Sequence, residues 1–471
     1  MNLKQQSATF VLAYLRFFAK WQLRKNKQAK IVGITGSAGK TSCQLAAWAA
    51  LGKNKGRLKI KISHKANSES GIPLDILGLH IKNYSLLDWL RLMFLAPWQL
   101  LSNWQHFDVY LVEMGIDSPH SPKNMEYLLS IVQPQIAIML NAKTIHSQNF
   151  DELVSEQDSQ KRESAVLQLI AKEKSKLALS LPKNGLAIIN RDDDNLWQWS
   201  RQTKAEIITF SDNLLQQTQD VDIRLNDWQV DLDGSRFVFA INQHLKQISA
   251  DSRFLEIKLP NLVLGKHYAA SLASAIALAY KLGLKNNEIK KNLENYLTPE
   301  PGRSTLLAGQ KNSYILDSSY NASGMLEMIE LSKHLAKSDQ RVKRLIAILG
   351  DMRELGAEAA PHHQQLALQL AKDFDEIYLV GPLLKQYTQP ILQRVIEHKN
   401  ARLKKLETFV DSHLAGETLL KNLREGDLIL VKGSQNTIYL EKAIELLLAD
   451  KTMSKKVLCR QSAYWLKIKN Q

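Results

Sequence analysis

Cysteine is nearly missing from this chain: Cys43 and Cys459 are the two present in 471 residues. Two thiols so far apart make neither a disulfide framework nor a zinc site, and they suit a reducing compartment. A signal-peptide cleavage pattern is missing too, as is any uninterrupted apolar run long enough to span a bilayer. Together these omissions point to a cytoplasmic protein. Acid is missing from the first thirty residues, which carry Lys4, Arg16, Lys20, Arg24, Lys25, Lys27 and Lys30 without one Asp or Glu. The aromatic-interleaved basic motif of an RNA- or DNA-binding module is not found, which sets nucleic acid aside as a partner. There is no internal repeat and no low-complexity tract.

What remains is ordinary in bulk and uneven in detail. Hydrophobic residues make up 45% and charged residues 23%, the composition of a soluble globular protein. The length suggests two or three domains. A net charge of +15 fits nucleic acid, an anionic lipid surface or phosphate-rich small substrates. Residues 1–29 interleave their cations with Phe10, Val11, Leu12, Tyr14, Leu15, Phe17, Phe18 and Trp21, the pattern of a basic amphipathic helix. A second apolar and aromatic stretch, Leu86 to Trp104, is interrupted by Asp88, Arg91 and Pro97. For both stretches two readings stand: contact with a membrane surface, or packing against the rest of the protein.

The periodicity predicts an α/β protein. Strands are expected at Lys30–Thr35, Asp108–Glu113, Ile136–Leu140 and Leu186–Asn190, separated by helix-length segments, which argues for a mostly parallel sheet. Between about Asp220 and Ile257 the pattern alternates with period two around a turn at Asp233-Gly234, predicting a small antiparallel sheet inserted in or attached to that domain. Helices follow at His267–Leu282 and Asn287–Tyr296, and Thr298-Pro299-Glu300-Pro301-Gly302 breaks the pattern. Strands near Tyr314–Asp317, Leu345–Leu349, Glu376–Val380 and Asp427–Val431 then predict a smaller Rossmann-like unit. The expected division is a helix at 1–29, a nucleotide-binding domain at 30–298, a Rossmann-like domain at 299–450 and a basic tail at 451–471.

The most informative segment is Gly33-Ile34-Thr35-Gly36-Ser37-Ala38-Gly39-Lys40-Thr41-Ser42, between an expected strand and an expected helix. Its glycines let backbone N–H groups curl around phosphates, and the following helix N-terminus favours negative charge. Lys40 is placed to reach the β- and γ-phosphates and the Thr41 hydroxyl to bind Mg²⁺. Ile34 stands where the general phosphate-loop pattern has its first glycine.

Further motifs follow in register: Asn67-Ser68-Glu69-Ser70-Gly71-Ile72-Pro73-Leu74, Val112-Glu113-Met114-Gly115, Leu140-Asn141 with His146, Asn190-Arg191-Asp192-Asp193 and Gly265-Lys266-His267. Later come Pro301-Gly302-Arg303, Asp317-Ser318-Ser319-Tyr320-Asn321-Ala322, Leu349-Gly350-Asp351-Met352-Arg353-Glu354-Leu355-Gly356 and Val431-Lys432-Gly433-Ser434. In this order the motifs resemble those of the Mur ligase family, and within it the MurF type, from about Lys30 to about Leu447.

The resemblance implies an ATP-dependent ligase of cell-wall precursor synthesis. A substrate carboxylate takes the γ-phosphoryl group, and an amine then displaces phosphate to form an amide. The implied substrates are a UDP-linked muramyl tripeptide and D-alanyl-D-alanine. The implied cofactors are ATP and Mg²⁺, two ions, with a carbamylated lysine helping to hold the second. Gly36, Ser37, Ala38, Gly39, Lys40, Thr41 and Ser42 then cradle the phosphates, while Thr41, Glu113 and His146 hold metal. Lys174 matches the modified lysine, with Lys172 next in line. Arg303 neutralises phosphate charge, and Asp317, Tyr320 and Asn321 line the nucleotide. Asn67, Lys432 and Ser434 are expected near the other substrates. Domain closure is expected, since neither half carries the whole set. Ser318 replaces the second acid of the family's pattern, and only about thirty residues precede the loop where MurF-type enzymes carry a uridine-binding domain. A lipid-linked acceptor at a membrane surface, or a non-catalytic ATP-binding scaffold, stands as the alternative, and the oligomeric state is left open.

Overall fold

The computed structural model describes the chain apart from residues 1–2, 64–65, 83–84, 145–147, 157, 215–220, 243–244, 246–252, 354, 356–357, 399–401, 435–436 and 470–471. Short branched-apolar runs set the strands of a first sheet. These are β1 (Lys30–Thr35), β2 (Ile60–Ile62), β3 (Val109–Glu113), β4 (Ile136–Met139), β5 (Leu186–Asn190), β6 (Glu206–Ser211), β7 (Ile223–Asp231), β8 (Gly234–Ile241) and β9 (Phe254–Pro260). They lie in the order β2-β3-β1-β4-β5-β6-β7-β8-β9. Pairing is parallel from β2 through β7. A two-residue connection at Leu232-Asp233 makes β7 and β8 a hairpin. Ile241 N–H donates to Arg253 O and Asn261 N–H to Asp233 O, so β9 runs antiparallel to β8. The antiparallel strands expected near 220–257 thus continue the parallel sheet instead of forming a sheet of their own.

The chain divides into two compact units. The first holds residues 1–226, 238–256 and 269–297; the second holds 227–237, 257–268 and 298–471. In the first, alternate residues of β3, β4 and β5 (Tyr110, Val112, Ala137, Met139, Ala187, Ile189) join one apolar cluster with Ile170 and Ala171 of the helix Ser159–Leu179. The opposite face is covered by two alanine-rich helices, Lys40–Ala50 and Ala269–Lys281, packed against each other. Small side chains let these helix backbones approach closely, and Cys43 is buried between them beside Ser274.

The helix Leu3–Leu23 buries Leu15 and Ala19 in the same cluster that takes Leu92 and Ala96 of the helix Leu86–Ser102. Both packing and exposure therefore describe the two amphipathic stretches. Pro97 lies inside the second helix and supplies no N–H to the carbonyl four residues back. That carbonyl, Met93 O, instead accepts the Tyr14 hydroxyl of the N-terminal helix at 3.0 Å.

The second unit carries β10 (Thr305–Gly309), β11 (Ser313–Ser318), β12 (Arg344–Gly350), β13 (Glu376–Val380), β14 (Lys405–Phe409) and β15 (Asp427–Lys432). Their order is β10-β11-β15-β12-β13-β14, parallel except for β10 against β11. Its central strands are buried on both faces, as a parallel sheet covered by helices requires. Leu345, Ala347 and Leu349 face one cluster, and Ile346 and Ile348 the other. The tail is part of this unit and ends in a helix, Ala463–Lys469.

Candidate active site

In the first unit the carboxyl ends of β1, β3 and β4 lie side by side, where open α/β sheets bind ligands. β1 delivers the chain into Gly36-Ser37-Ala38-Gly39, and the helix starts at Lys40. Gly39 has φ +84°, a left-handed conformation that favours glycine. A Cβ on Gly36 would stand 2.9 Å from Leu140 Cβ and 3.1 Å from Ala38 O. Asn141 shapes the loop: it accepts from Ala38 N–H at 2.9 Å and Nδ2 donates to Ala38 O at 3.2 Å. Ser37 N–H donates to Asn141 O at 3.0 Å, and the Ser37 hydroxyl donates to Lys143 O at 2.9 Å. Lys40 Nζ curls back to Gly36 O at 2.8 Å, across the hollow of the loop. Thr41 and Ser42 occupy the first helical turn.

Thr41 donates its hydroxyl to Glu113 Oε2 at 3.1 Å. Glu113 is the last residue of β3, is buried, and is steadied by Ser63 Oγ on its N–H at 2.9 Å. A hydroxyl beside a buried carboxylate at a phosphate loop is the oxygen donor set that Mg²⁺ uses when phosphate oxygens complete its shell. The residues present therefore fit the ion. Among the described residues no group of three or more His, Cys, Asp and Glu gathers for metal, and His146 lies outside the described residues.

Lys174 projects from the helix Ser159–Leu179 and is buried, while Lys172 on the same helix is exposed, its Nζ 5.1 Å from the Trp199 ring centroid. Burial pushes the Lys174 ammonium down to about 7; the Lys40 charge lowers it further, and Asp117 and Glu173 oppose the shift. Its neighbour Glu173 accepts Met125 N–H at 2.9 Å and pairs with Lys176 at 2.7 Å. Asn67 is exposed, and its backbone carbonyl accepts Gly115 N–H at 2.9 Å, beyond the end of β3.

The second unit gathers its own set at the carboxyl ends of β11 and β15, where Ser318 pairs with Lys432 in register. Lys432 is buried and donates to Ser318 Oγ at 3.2 Å and Asn321 O at 3.0 Å. Burial lowers its pKa to about 7; Arg303 adds to the shift, and Glu327 and Asp317 oppose it. Asp317 is fully buried; Oδ1 accepts Ser319 N–H at 2.9 Å, and Oδ2 has no hydrogen-bond partner. Burial raises its carboxyl to about 6 against the Ser319 hydrogen bonds. Arg303 pairs with Glu300 at 3.3 Å and lies 4.2 Å from the Tyr320 ring centroid. Ser434 accepts Arg353 N–H at 2.8 Å and donates its own N–H to Asp351 O at 3.0 Å, so it ties two loops together.

Sequence reasoning passed over the residue that holds this set. Arg460, in the segment expected to be a basic tail, is buried and forms a two-pronged pair with Glu441 at 2.8 and 2.6 Å. Its remaining donors reach Tyr320 O at 2.9 Å and Ser319 O at 3.0 Å. No motif marks it, because its partners lie 19 to 141 positions away.

Comparison with known proteins agrees with this arrangement. The family model "Mur ligase middle domain" matches residues 34–279, and "Mur ligase, glutamate ligase domain" matches residues 302–435. The UDP-N-acetylmuramoyl-tripeptide–D-alanyl-D-alanine ligase of Escherichia coli K12 is 25% identical over 367 residues, 77% of this chain and 67% of that protein. The protein of that name from Buchnera aphidicola of Acyrthosiphon pisum is 25% identical over 434 residues, covering 92% and 79%. In fold, the chain is similar to the MurF ligase of Thermotoga maritima in complex with ADP. That match has a TM-score of 0.70 at 20% identity and covers 94% of this chain and 84% of that one. Since one family model alone spans more than half of the sequence, and its phosphate loop is built as described, the chain belongs to the Mur ligase family.

Proposed function

We propose that this protein is an ATP-dependent amide ligase that joins D-alanyl-D-alanine to a UDP-N-acetylmuramoyl tripeptide. The observation that carries the reading is the Thr41–Glu113 pair at 3.1 Å beside the loop that Lys40 spans. The names of the Escherichia coli and Buchnera relatives support the substrates. A carboxylate oxygen of the tripeptide attacks the γ-phosphorus of ATP, the bond to the bridging oxygen breaks, and ADP leaves. The amine of D-alanyl-D-alanine attacks the acyl phosphate carbonyl, loses a proton, and phosphate departs.

Phosphoryl transfer of this kind needs positioning and charge neutralisation more than covalent help. Lys40 and the amides of residues 36–42 hold the phosphates. Thr41 and Glu113, with His146, would hold Mg²⁺, which when bound would supply charge neutralisation for the transfer. A second ion belongs to the same reading, with Lys174 as carbamate: Nζ forms a bond to the carbon of CO₂ and releases a proton. Burial, which leaves much of this amine neutral near pH 7, supports that modification. Arg303, Asp317, Tyr320 and Asn321 serve the nucleotide, and Lys432, with Ser434 and Asn67, the other substrates. ATP as a substrate implies work in the cytoplasm, and peripheral membrane contact through the N-terminal helix joins the reading.

Phosphate release with ATP, Mg²⁺ and D-alanyl-D-alanine, with and without the UDP-linked tripeptide, tests the proposal. Release that needs both substrates and vanishes in Lys40→Ala is expected. No release with ATP binding intact would overturn the UDP-linked acceptor. It would favour a lipid-linked one, a reading that the exposed apolar residues of the helix Leu86–Ser102 support.

A further inference from the structure

Ten large apolar side chains are exposed on the helices Leu3–Leu23 and Leu86–Ser102 and at Trp104 just beyond. They are not scattered. On the first helix Phe10, Phe17 and Trp21 share one face, opposite the buried Leu15 and Ala19. On the second, Leu87, Leu90, Phe94, Trp98 and Leu101 recur at helical spacing, opposite the buried Leu92 and Ala96. Tyr14 hydroxyl meets Met93 O, and Gln22 Nε2 meets Asn103 O at 2.7 Å, so the helices lie side by side and run the same way. Both bury their inner faces in one cluster, which turns both apolar stripes outward on the same side. Apolar patches of this extent on a folded surface mark an interaction site.

The charge says what kind. The first helix contains no acid, and Asp88, the single acid of the second, is buried and paired with Arg91 at 2.7 Å. Cations gather where the first helix ends: Lys20, Arg24 and Lys27 are all exposed there. Arg24 lies 4.4 Å from the Trp21 ring centroid and Lys25 Nζ 4.2 Å from that of Trp104. Tryptophan with cations at the rim of an apolar face is the composition that settles at the headgroup level of a bilayer. A second copy of the chain would bring these same cations against their own images, at a repulsive cost. No helix among the described residues is long and apolar enough to cross a membrane, so contact is with the surface.

We infer that the two helices form one docking face for the surface of a bilayer rich in anionic phospholipid. The inference rests on and deepens the peripheral membrane contact proposed above, and it stands whichever acceptor the site takes, since its residues lie outside the ligand set. The full chain is floated with vesicles of phosphatidylcholine alone, and with vesicles in which about a third is phosphatidylglycerol. Flotation with the anionic vesicles, weakened by salt, is expected. Phe94→Ser and Trp98→Ser each weaken partitioning about tenfold. Lys20→Gln and Lys27→Gln each weaken it roughly fivefold. All four positions are exposed, so phosphate release with soluble substrates and the thermal transition stay as in the parent. No flotation of the parent, or flotation unchanged in all four variants, overturns the inference. So does a parent dimer in sedimentation velocity that Phe94→Ser and Trp98→Ser dissociate without any vesicle binding, because the face then joins two copies.

Discussion

Replacing Arg460 by methionine should loosen the loop that follows β11 in the second unit, whose carbonyls it holds. The guanidinium makes four hydrogen bonds: two to Glu441, one to Ser319 O and one to Tyr320 O. Methionine keeps most of the volume and removes every donor. Glu441 is then left buried, with Lys469 at 3.5 Å as its remaining cation. Breaking one side of a buried ion pair costs about 3–5 kcal/mol, because the other charge is left without compensation. Opening of β11 and the following loop should therefore become easier by roughly two to three orders of magnitude, read as faster amide hydrogen exchange from Tyr314 to Asn321. The Michaelis constant for ATP should rise while exchange across β1, β3 and β4 stays unchanged. Adding Glu441→Leu removes the stranded carboxylate, and the double variant should recover part of the loss, a coupling that a double-mutant cycle measures. Exchange within about threefold of the parent in Arg460→Met would refute the reasoning. So would losses that simply add in the double variant.

Glu113→Gln keeps the hydrogen bond from Thr41 and removes the charge, so turnover should fall about a hundredfold or more, with the Mg²⁺ requirement shifted to higher concentration in a titration. Lys174 should take up ¹³C-labelled bicarbonate as a carbamate resonance that grows as pH rises from 6 through 8, because its amine becomes neutral near about 7. The resonance should be missing in Lys174→Arg. Lys432 has a folded-state pKa of about 7 against 10.5 unfolded, so between these values the unfolded chain holds more protons and stability rises with pH. The slope is about 1.4 kcal/mol per pH unit at most, and Lys432→Met should flatten it in urea unfolding monitored between pH 7 and 10. Tyr14→Phe removes the hydroxyl that Met93 O accepts and should cost about 1–3 kcal/mol, read as faster exchange in the helices Leu3–Leu23 and Leu86–Ser102.

The strands whose bounds the sequence places to the residue are largely buried on both faces. β1, β5 and β13 fall on the expected residues because short apolar runs rich in β-branched and aromatic residues, such as Ile-Val-Gly-Ile and Ile-Tyr-Leu-Val, read as buried strands. β2 and β14 escape notice for the opposite reason. β2 is three residues long and β14 reads Lys-Leu-Glu-Thr-Phe, with every position half-buried. Each sits at the end of its sheet, where one neighbour suffices and the pattern dilutes. Whether the antiparallel strands formed a separate sheet depended on β6 meeting β7, a pairing of two residues that no periodicity records.

The site divides along a similar line. Lys40, Thr41, Glu113 and Asn141 are legible because backbone geometry at strand ends demands particular residues at short spacing. The resemblance puts Lys174 ahead of Lys172, and burial adds a physical difference that the motif does not carry: two residues apart on one helix, one faces the core and the other solvent. Arg460 was out of reach altogether, since an arginine in a basic tail reads as solvated until its carboxylate partner is placed beside it. Pro97 misleads in the same way. By itself it argues for a helix end, yet the helix runs on to Ser102 because a hydroxyl from a different helix satisfies the carbonyl that proline abandons. What sequence encodes locally is the demand for a partner; which residue meets the demand is decided by the fold.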